Sequence, residues 1–442
     1  MRDKWQNMVA AACLALAVCP AVLAQPAESA TSTATAFDER AAQLADVING
    51  NIAFSDYFAP SFRAAIPQSQ FEAMTAGLLA QYGRAVIVES AASPDGRSGT
   101  LQLRFEKGVA TILLDAGKAP DTRVTGLRLT GFLTANDSFP RVAEDLAAMP
   151  GQTGFLAAEI DGAVVKPLAG ANSDHQFAVG STFKLYVLDE LAAQISAGKR
   201  RWADVVPLSH LSFSSAATGN WQINTPVTVQ TLANWMISVS DNGAADTLIH
   251  LLGRDRIEAR MRAAGHANPS RNTPFLTTVE AFALKGDNFA RERDAFVGGD
   301  DAAQRGLIDR NSDRLVLSNV DGVSFVQGPR FIEDLEWFAS PNDIARLMID
   351  LRSRRSETAM AALAINNGVG PVAAEPWCYL GYKGGSENGV ISMSLLGQRK
   401  SDGKWMVVTA SWNNAAANVD TNHFVALVTR LLDLAAKQTP SR

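Results

Sequence analysis

Gly180-Ser181-Thr182-Phe183-Lys184 lies between two apolar segments, Phe177-Ala178-Val179 before it and Leu185-Tyr186-Val187-Leu188 after it. A helical pattern runs over 183–199, so a spacing of three puts the Ser181 hydroxyl and the Lys184 amine on one face of a buried helix start. A serine hydroxyl is a feeble nucleophile until a nearby base takes its proton, and a lysine serves when burial or charge lowers its pKa. At a first helical turn the Ser181 backbone N–H also faces a developing oxyanion, with the helix dipole behind it. The ordinary reading is an N-capping serine and a solvated lysine. A Ser-x-x-Lys match arises by chance about once or twice in a chain of this length.

Two further short elements follow. Ser240-Asp241-Asn242 is a polar break between helical runs at 229–236 and 244–252. Such a break aims a hydroxyl and an amide into a cleft, the hydroxyl to shuttle a proton and the amide to bind an acyl side chain. Taken alone it also reads as a helix cap. Lys383-Gly384-Gly385-Ser386 precedes an alternating apolar run at 390–397. Paired glycines on a strand edge admit a substrate backbone closely, and Lys383 supplies positive charge for a carboxylate. A glycine-rich hairpin turn is the alternative.

Together, and in this order, the three elements form the Ser-x-x-Lys, Ser-Asp-Asn and Lys-Thr-Gly set, so residues 151–442 resemble the class A β-lactamases and penicillin-binding proteins. The resemblance implies a three-layer α/β/α domain on an antiparallel sheet. By position it makes Ser181 the acylated residue, Lys184 its activator, Ser240 the relay to the leaving nitrogen, and Asn242 a substrate-binding amide. Asp241 would hold the loop. Lys383, Gly385 and Ser386 would bind substrate, with the N–H groups of Ser181 and Ser386 as the oxyanion hole. The implied substrate is a β-lactam. A cell-wall peptide or small ester remains open, as does a β-lactam-binding sensor that does not turn over.

The chain departs from that pattern twice. Gly384 stands where the family prefers Thr or Ser, which removes a hydroxyl that helps hold a carboxylate. In Arg271-Asn272-Thr273-Pro274-Phe275-Leu276-Thr277, Thr273 stands where class A enzymes carry the water-preparing glutamate. Glu280 is the nearest substitute, in a helical pattern at 279–282 that turns it to solvent. An acyl-enzyme lacking that base is expected to persist.

Outward from this site, 442 residues exceed a single core, because cores stop growing near ~250 residues. Two domains are expected. A hydrophobic content of 47%, a charged content of 19% and a net charge of −5 give no broad basic field for nucleic acid or anionic lipid. Residues 1–24 carry Arg2 and Lys4, an uncharged run at 8–22 and a small-residue end, the order of a cleavable secretory signal. The apolar run falls short of the ~20 residues that span a bilayer. A secreted or periplasmic protein without a membrane anchor is therefore expected, with Cys378 as the one cysteine left and no intramolecular disulfide.

Residues 25–36 read as a linker. Over 37–150, helices at 37–53 and 68–82 precede strands at 85–90, 100–105, 110–116 and 124–132. This α+β pattern of helices and a curved antiparallel sheet is similar to the NTF2-like accessory domains found ahead of exported serine hydrolases. Pro150-Gly151 marks the boundary, before strands at 154–160 and 163–167. The segment 285–338 is either a lid or an extra helical layer. A His-Glu-x-x-His motif, a Gly-x-Ser-x-Gly elbow and a phosphate-binding glycine loop are all lacking, so no metal or other cofactor is expected.

Overall fold

Thr35 caps the first helix, α1 (Ala36–Ile48), in a reciprocal capping box with Asp38, and Phe37, Ala41, Leu44 and Ile48 turn one buried stripe inward. The computed structural model describes residues 34–93, 95–134 and 136–438; the segment read as a signal and 25–33 of the linker lie outside them. Helix α1 stops at Asn49 rather than 53, where Gly50 takes a left-handed φ of 78°. Helix α2 (Gln68–Tyr82) is closed by Gly83.

Four strands follow as an antiparallel meander: β1 (Ala85–Ala92), β2 (Ser98–Phe105), β3 (Gly108–Ala116) and β4 (Val124–Thr134). Alternation sends Leu101, Leu103, Phe105, Ala110, Ile112 and Leu114 to one face. There they meet Phe37, Leu44, Phe58 and Phe71 in a core of their own.

The second core is built on a five-stranded antiparallel sheet. Its strands are β5 (Gln152–Asp161), β6 (Val164–Ala171), β7 (Trp377–Glu387), β8 (Val390–Arg399) and β9 (Trp405–Asn413), in the order β7-β8-β9-β5-β6. Both ends of the segment feed one sheet, and the helices between them fill one side. The strands are apolar on both faces. Ile391, Met393, Leu395, Met406 and Val408 pack against α3 (Phe139–Ala147) and the C-terminal α9 (Thr421–Ala436). Leu156, Ala158, Leu396 and Val407 face the larger helical layer, with α4 (Lys184–Ser196), α5 (Val229–Ser238), α6 (Asn242–Leu252) and α8 (Pro341–Ser353). Three layers result, as a sheet buried on both faces requires.

Helix α3, on the N-terminal side of the division expected at Pro150-Gly151, packs against the second sheet. It buries Val142 and Leu146 there and against α9. Arg430 of α9 holds Asp137 at 2.7 Å and Asp145 at 2.6 Å. The segment 285–338 is a helical layer: Phe289, Phe296, Leu307, Ile308 and Leu315 join the core that contains α4. Cys378 is a free, exposed thiol. Among the described residues no helix is long and apolar enough to cross a membrane.

Candidate active site

Ser181 lies in a tight turn, Gly180–Phe183, that leads directly into α4. Gly180 adopts a left-handed φ of 49°, which admits the sharp entry. Behind the turn, Phe183 stacks on Trp337 with centroids 4.0 Å apart. Thr182 Oγ1 lies 2.6 Å from Ser392 Oγ, whose hydroxyl donates to Val179 O at 2.7 Å, so the turn is clamped to β8. On the other flank, a Cβ on Gly385 would collide with Val179 O and with the Ser181 and Thr182 backbone nitrogens. Any residue but glycine would push β7 away from Ser181. Ser386 N lies 3.1 Å from where a Cβ on Gly180 would stand, so the backbones carrying the Ser181 and Ser386 N–H groups run side by side.

Lys184 is fully buried one turn along. Its Nζ lies 3.1 Å from Ser181 Oγ, 2.5 Å from Ser240 O, 3.3 Å from Ser240 Oγ and 2.6 Å from Asn242 Oδ1. Burial drives its pKa down to about 7, against the pull of the Asp246 and Asp241 charges, which raise it. A neutral amine has two N–H donors and one lone pair. The two shortest contacts take the donors, which leaves the lone pair for the Ser181 hydroxyl proton.

The Ser-Asp-Asn break combines both of its sequence readings. Asp241 caps α6 by accepting from Ala244 N at 2.8 Å, while its other oxygen accepts from Ala217 N and Thr218 N at 2.7 and 2.8 Å. Ser240 is thereby held at a left-handed φ of 59° with its hydroxyl toward the two lysines. Lys383 Nζ donates to Ser240 Oγ at 2.9 Å and to Gly384 O at 2.5 Å. Burial first, and the Lys184 charge second, hold the Lys383 pKa well below the usual lysine value. Asn242 donates to Phe213 O at 2.8 Å while its Oδ1 holds Lys184. One Asn242 N–H remains for a ligand, so the amide orients the base as well as facing the cleft.

Ser181, Ser240, Asn242, Lys383, Gly385 and Ser386 line one cleft of about 640 Å³, with Lys184 beneath them. Lys383-Gly384-Gly385-Ser386 lies within β7, and the hairpin turn comes after it at Asn388-Gly389. Thr273 is not in the cleft. It lines a separate depression with Arg271 and Phe338, and its hydroxyl donates to Pro269 O at 3.0 Å. Glu280 is buried rather than solvated, paired with Arg254 at 2.6 Å and accepting from Thr277 N at 2.8 Å in a capping box. The residue that helix α7 (Thr278–Lys285) brings to the cleft is Phe282, in an aromatic cluster with Phe213 and Phe325. Among the described residues lining the cleft there is no carboxylate and no imidazole.

The sequence reading also missed Tyr382, Asn366, Ser214 and Ser215 as lining residues. Asp246 was missed too. It accepts from Thr278 N, Thr278 Oγ1 and Val279 N at 2.7, 2.8 and 3.0 Å, and burial pushes it up to about 6. Among the described residues no group of three or more His, Cys, Asp or Glu is placed to hold a metal ion.

A model of the beta-lactamase enzyme family matches residues 139–365, starting at the first residue of α3. Among solved structures, the chain is similar to a β-lactamase from Sphaerobacter thermophilus at 17% identity and TM-score 0.47, with 68% of this chain and 97% of that chain covered. A putative class A β-lactamase from Rhodopseudomonas palustris gives 18% identity and TM-score 0.46, covering 68% of this chain and 98% of that one. A β-lactamase from Chitinophaga pinensis gives 14% identity and TM-score 0.44, with 67% and 96% covered. No curated protein matches the chain.

Proposed function

The chain belongs to the beta-lactamase enzyme family, and from that premise we propose that it is a serine acyl-transfer protein that opens β-lactams and releases the product slowly. One observation carries the reading: a buried Lys184 amine, its pKa brought down to about 7, lies 3.1 Å from Ser181 Oγ.

The free amine takes the Ser181 hydroxyl proton as Oγ attacks the lactam carbonyl carbon. The tetrahedral oxyanion is met by the N–H groups of Ser181 and Ser386, fixed dipoles that need no reorganisation as charge develops. The C–N bond then breaks. The leaving nitrogen takes a proton from Ser240 Oγ, which is resupplied by the Lys184 ammonium, so the base returns to its free form. Lys383 lies beside Ser240, where an arriving anionic substrate favours its charged form, and Asn242 offers its spare N–H to the acyl side chain.

Release of the acyl group needs a water stripped of a proton. No carboxylate or imidazole lines the cleft among the described residues, and Phe282 fills the wall nearest α7. The base left beside the ester is the Lys184 amine, which acylation also uses, and the described lining adds no second group to prepare a water; this favours a lasting adduct over rapid turnover. Intact-mass measurement during incubation with a penicillin and a cephalosporin tests this. A lasting adduct that disappears in Ser181→Ala is the expected result. An adduct that persists in that variant, or none in wild type, overturns the reading.

The signal-like order of residues 1–24 supports export and a mature chain beginning near Gln25, which N-terminal sequencing of the processed protein checks. The helices and four-stranded meander of 36–134 support an NTF2-like accessory body.

A further inference from the structure

The Lys-Gly-Gly-Ser run lacks a hydroxyl side chain at 384, yet the space it would use is filled. A Cβ on Gly384 would stand against the Tyr382 hydroxyl oxygen, with that ring's Cζ 2.7 Å away and Ser392 O at 3.2 Å. From another segment, a Cβ on Gly368 would meet Cε1 and Cζ of the same ring at 2.6 Å. Gly368 also holds a left-handed φ of 68°. Gly368 and Gly384, on two different segments, thus open a slot for one phenol.

Residues 382 and 384 share a face of β7, so the ring lies along the strand and carries its oxygen over Gly384 at the cleft that Tyr382 lines. Across the ladder from Gly384 stands Met393, an apolar partner. Lys383 is the one lysine or arginine among the described lining residues; burial disfavours its charged form, and its amine is already turned to Ser240 Oγ and Gly384 O. A carboxylate arriving there therefore needs a further, directed donor.

We infer that the Tyr382 hydroxyl is that donor, replacing the hydroxyl absent at 384 and hydrogen-bonding the carboxylate of an anionic β-lactam. The inference rests on the acyl-enzyme reading above. Burial pushes the phenol pKa up from its usual value, with no charged neighbour opposing it, so the group stays protonated and can donate at neutral pH. Aromatic stiffness adds to this, since a ring wedged between two backbones loses little further freedom when it binds.

The test uses the full chain with two probes, benzylpenicillin and its methyl ester, and reads the rate of adduct formation on Ser181 by intact mass. Tyr382→Phe keeps the ring and removes the donor. The expected result is a fall of roughly 10-fold or more with benzylpenicillin, the scale of one hydrogen bond to a charged group, and a several-fold smaller fall with the ester, whose carbonyl accepts without charge. Tyr382→Ala combined with Gly384→Thr moves the hydroxyl back to position 384 and is expected to recover the preference for the free acid. Equal losses on both probes, or no loss on either, overturn the inference while leaving the acyl-enzyme reading intact. Wild type that forms no adduct with either probe overturns both.

Discussion

Lys184 and Lys285 are buried to the same degree in the same domain, yet their pKa values move in opposite directions. Around Lys184 the partners are neutral oxygens, two of Ser240 and one of Asn242, and the nearest carboxylates, Asp246 and Asp241, spend their oxygens on backbone N–H and hydroxyl groups. Burial wins, and the amine falls to about 7. Lys285 touches Glu336 at 2.5 Å and Glu387 at 2.6 Å. Burial alone would lower it as well, but the two carboxylates outweigh that and hold it above its usual value. Burial and the Glu336 charge in turn push Glu387 up to about 8. Depth does not make a base; the absence of an ionised partner does.

Removing each lysine separates the two roles, and the catalytic one gives the larger change. Lys184→Met is expected to slow acylation of Ser181 by ~10²–10⁴-fold, the span of positioned general-base catalysis, with the melting temperature kept or raised. A lysine buried without an ionised partner costs stability, and Met fills its volume. Lys285→Met is expected to act the other way round. Two buried carboxylates lose their cation, at a cost of about 3–5 kcal/mol in urea unfolding. Adduct formation by the surviving folded fraction should be little changed. If both variants lose stability alike, the contrast between the sites is wrong.

Local pattern carried the first lysine and could not carry the second. Ser181 and Lys184 are three residues apart on one helix, and each of the other two elements is contiguous, so the cleft could be assembled from short words. The charge state of Lys184 was not legible, because it depends on how deeply the assembled fold buries the amine, and only then on the opposing charges of Asp246 and Asp241. Lys285, Glu336 and Glu387 are separated by 51 and 102 residues, and nothing local marks them as partners. Strand period kept Tyr382 hidden: it lies on the opposite face from its neighbour Lys383, and only the slot formed with Gly368 brings it to the cleft. The contact between α3 and α9 was hidden for a similar reason, since Arg430 lies 285 residues from its partner Asp145.

The same contrast has a pH signature of opposite sign at the two sites. Lys184 titrates lower in the folded state than unfolded, so from pH 7 upward the unfolded chain binds the extra proton and stability rises toward pH 10. Acylation follows the free amine and should climb through an apparent pKa near 7. Asp246→Asn removes a charge that raises that value, and the rising limb should move to lower pH. Glu387 titrates higher in the folded state, so its contribution is complete below the ordinary value of 4.5 and fades as pH rises through about 8. Over that window wild type should lose on the order of 2 kcal/mol relative to Glu387→Gln, read from urea midpoints. An unchanged difference between the two proteins from pH 5 to 8 would falsify the assignment.

Glu280 supplies the smallest and most discriminating change. Its carboxylate is committed at both oxygens, to Arg254 and to the Thr277 backbone N–H, and the residue its helix presents to the cleft is Phe282. Glu280→Gln keeps the shape and can still accept from Thr277, so the expected cost is about 1 kcal/mol, within the range for a capping residue and a half-buried ion pair. The lifetime of the Ser181 adduct should not change. A carboxylate that prepared the releasing water would instead lengthen that lifetime many-fold when neutralised, with no comparable loss of stability. Following adduct decay by mass in both proteins therefore distinguishes a structural cap from a water-activating base, and with it a slow ester from a working hydrolase.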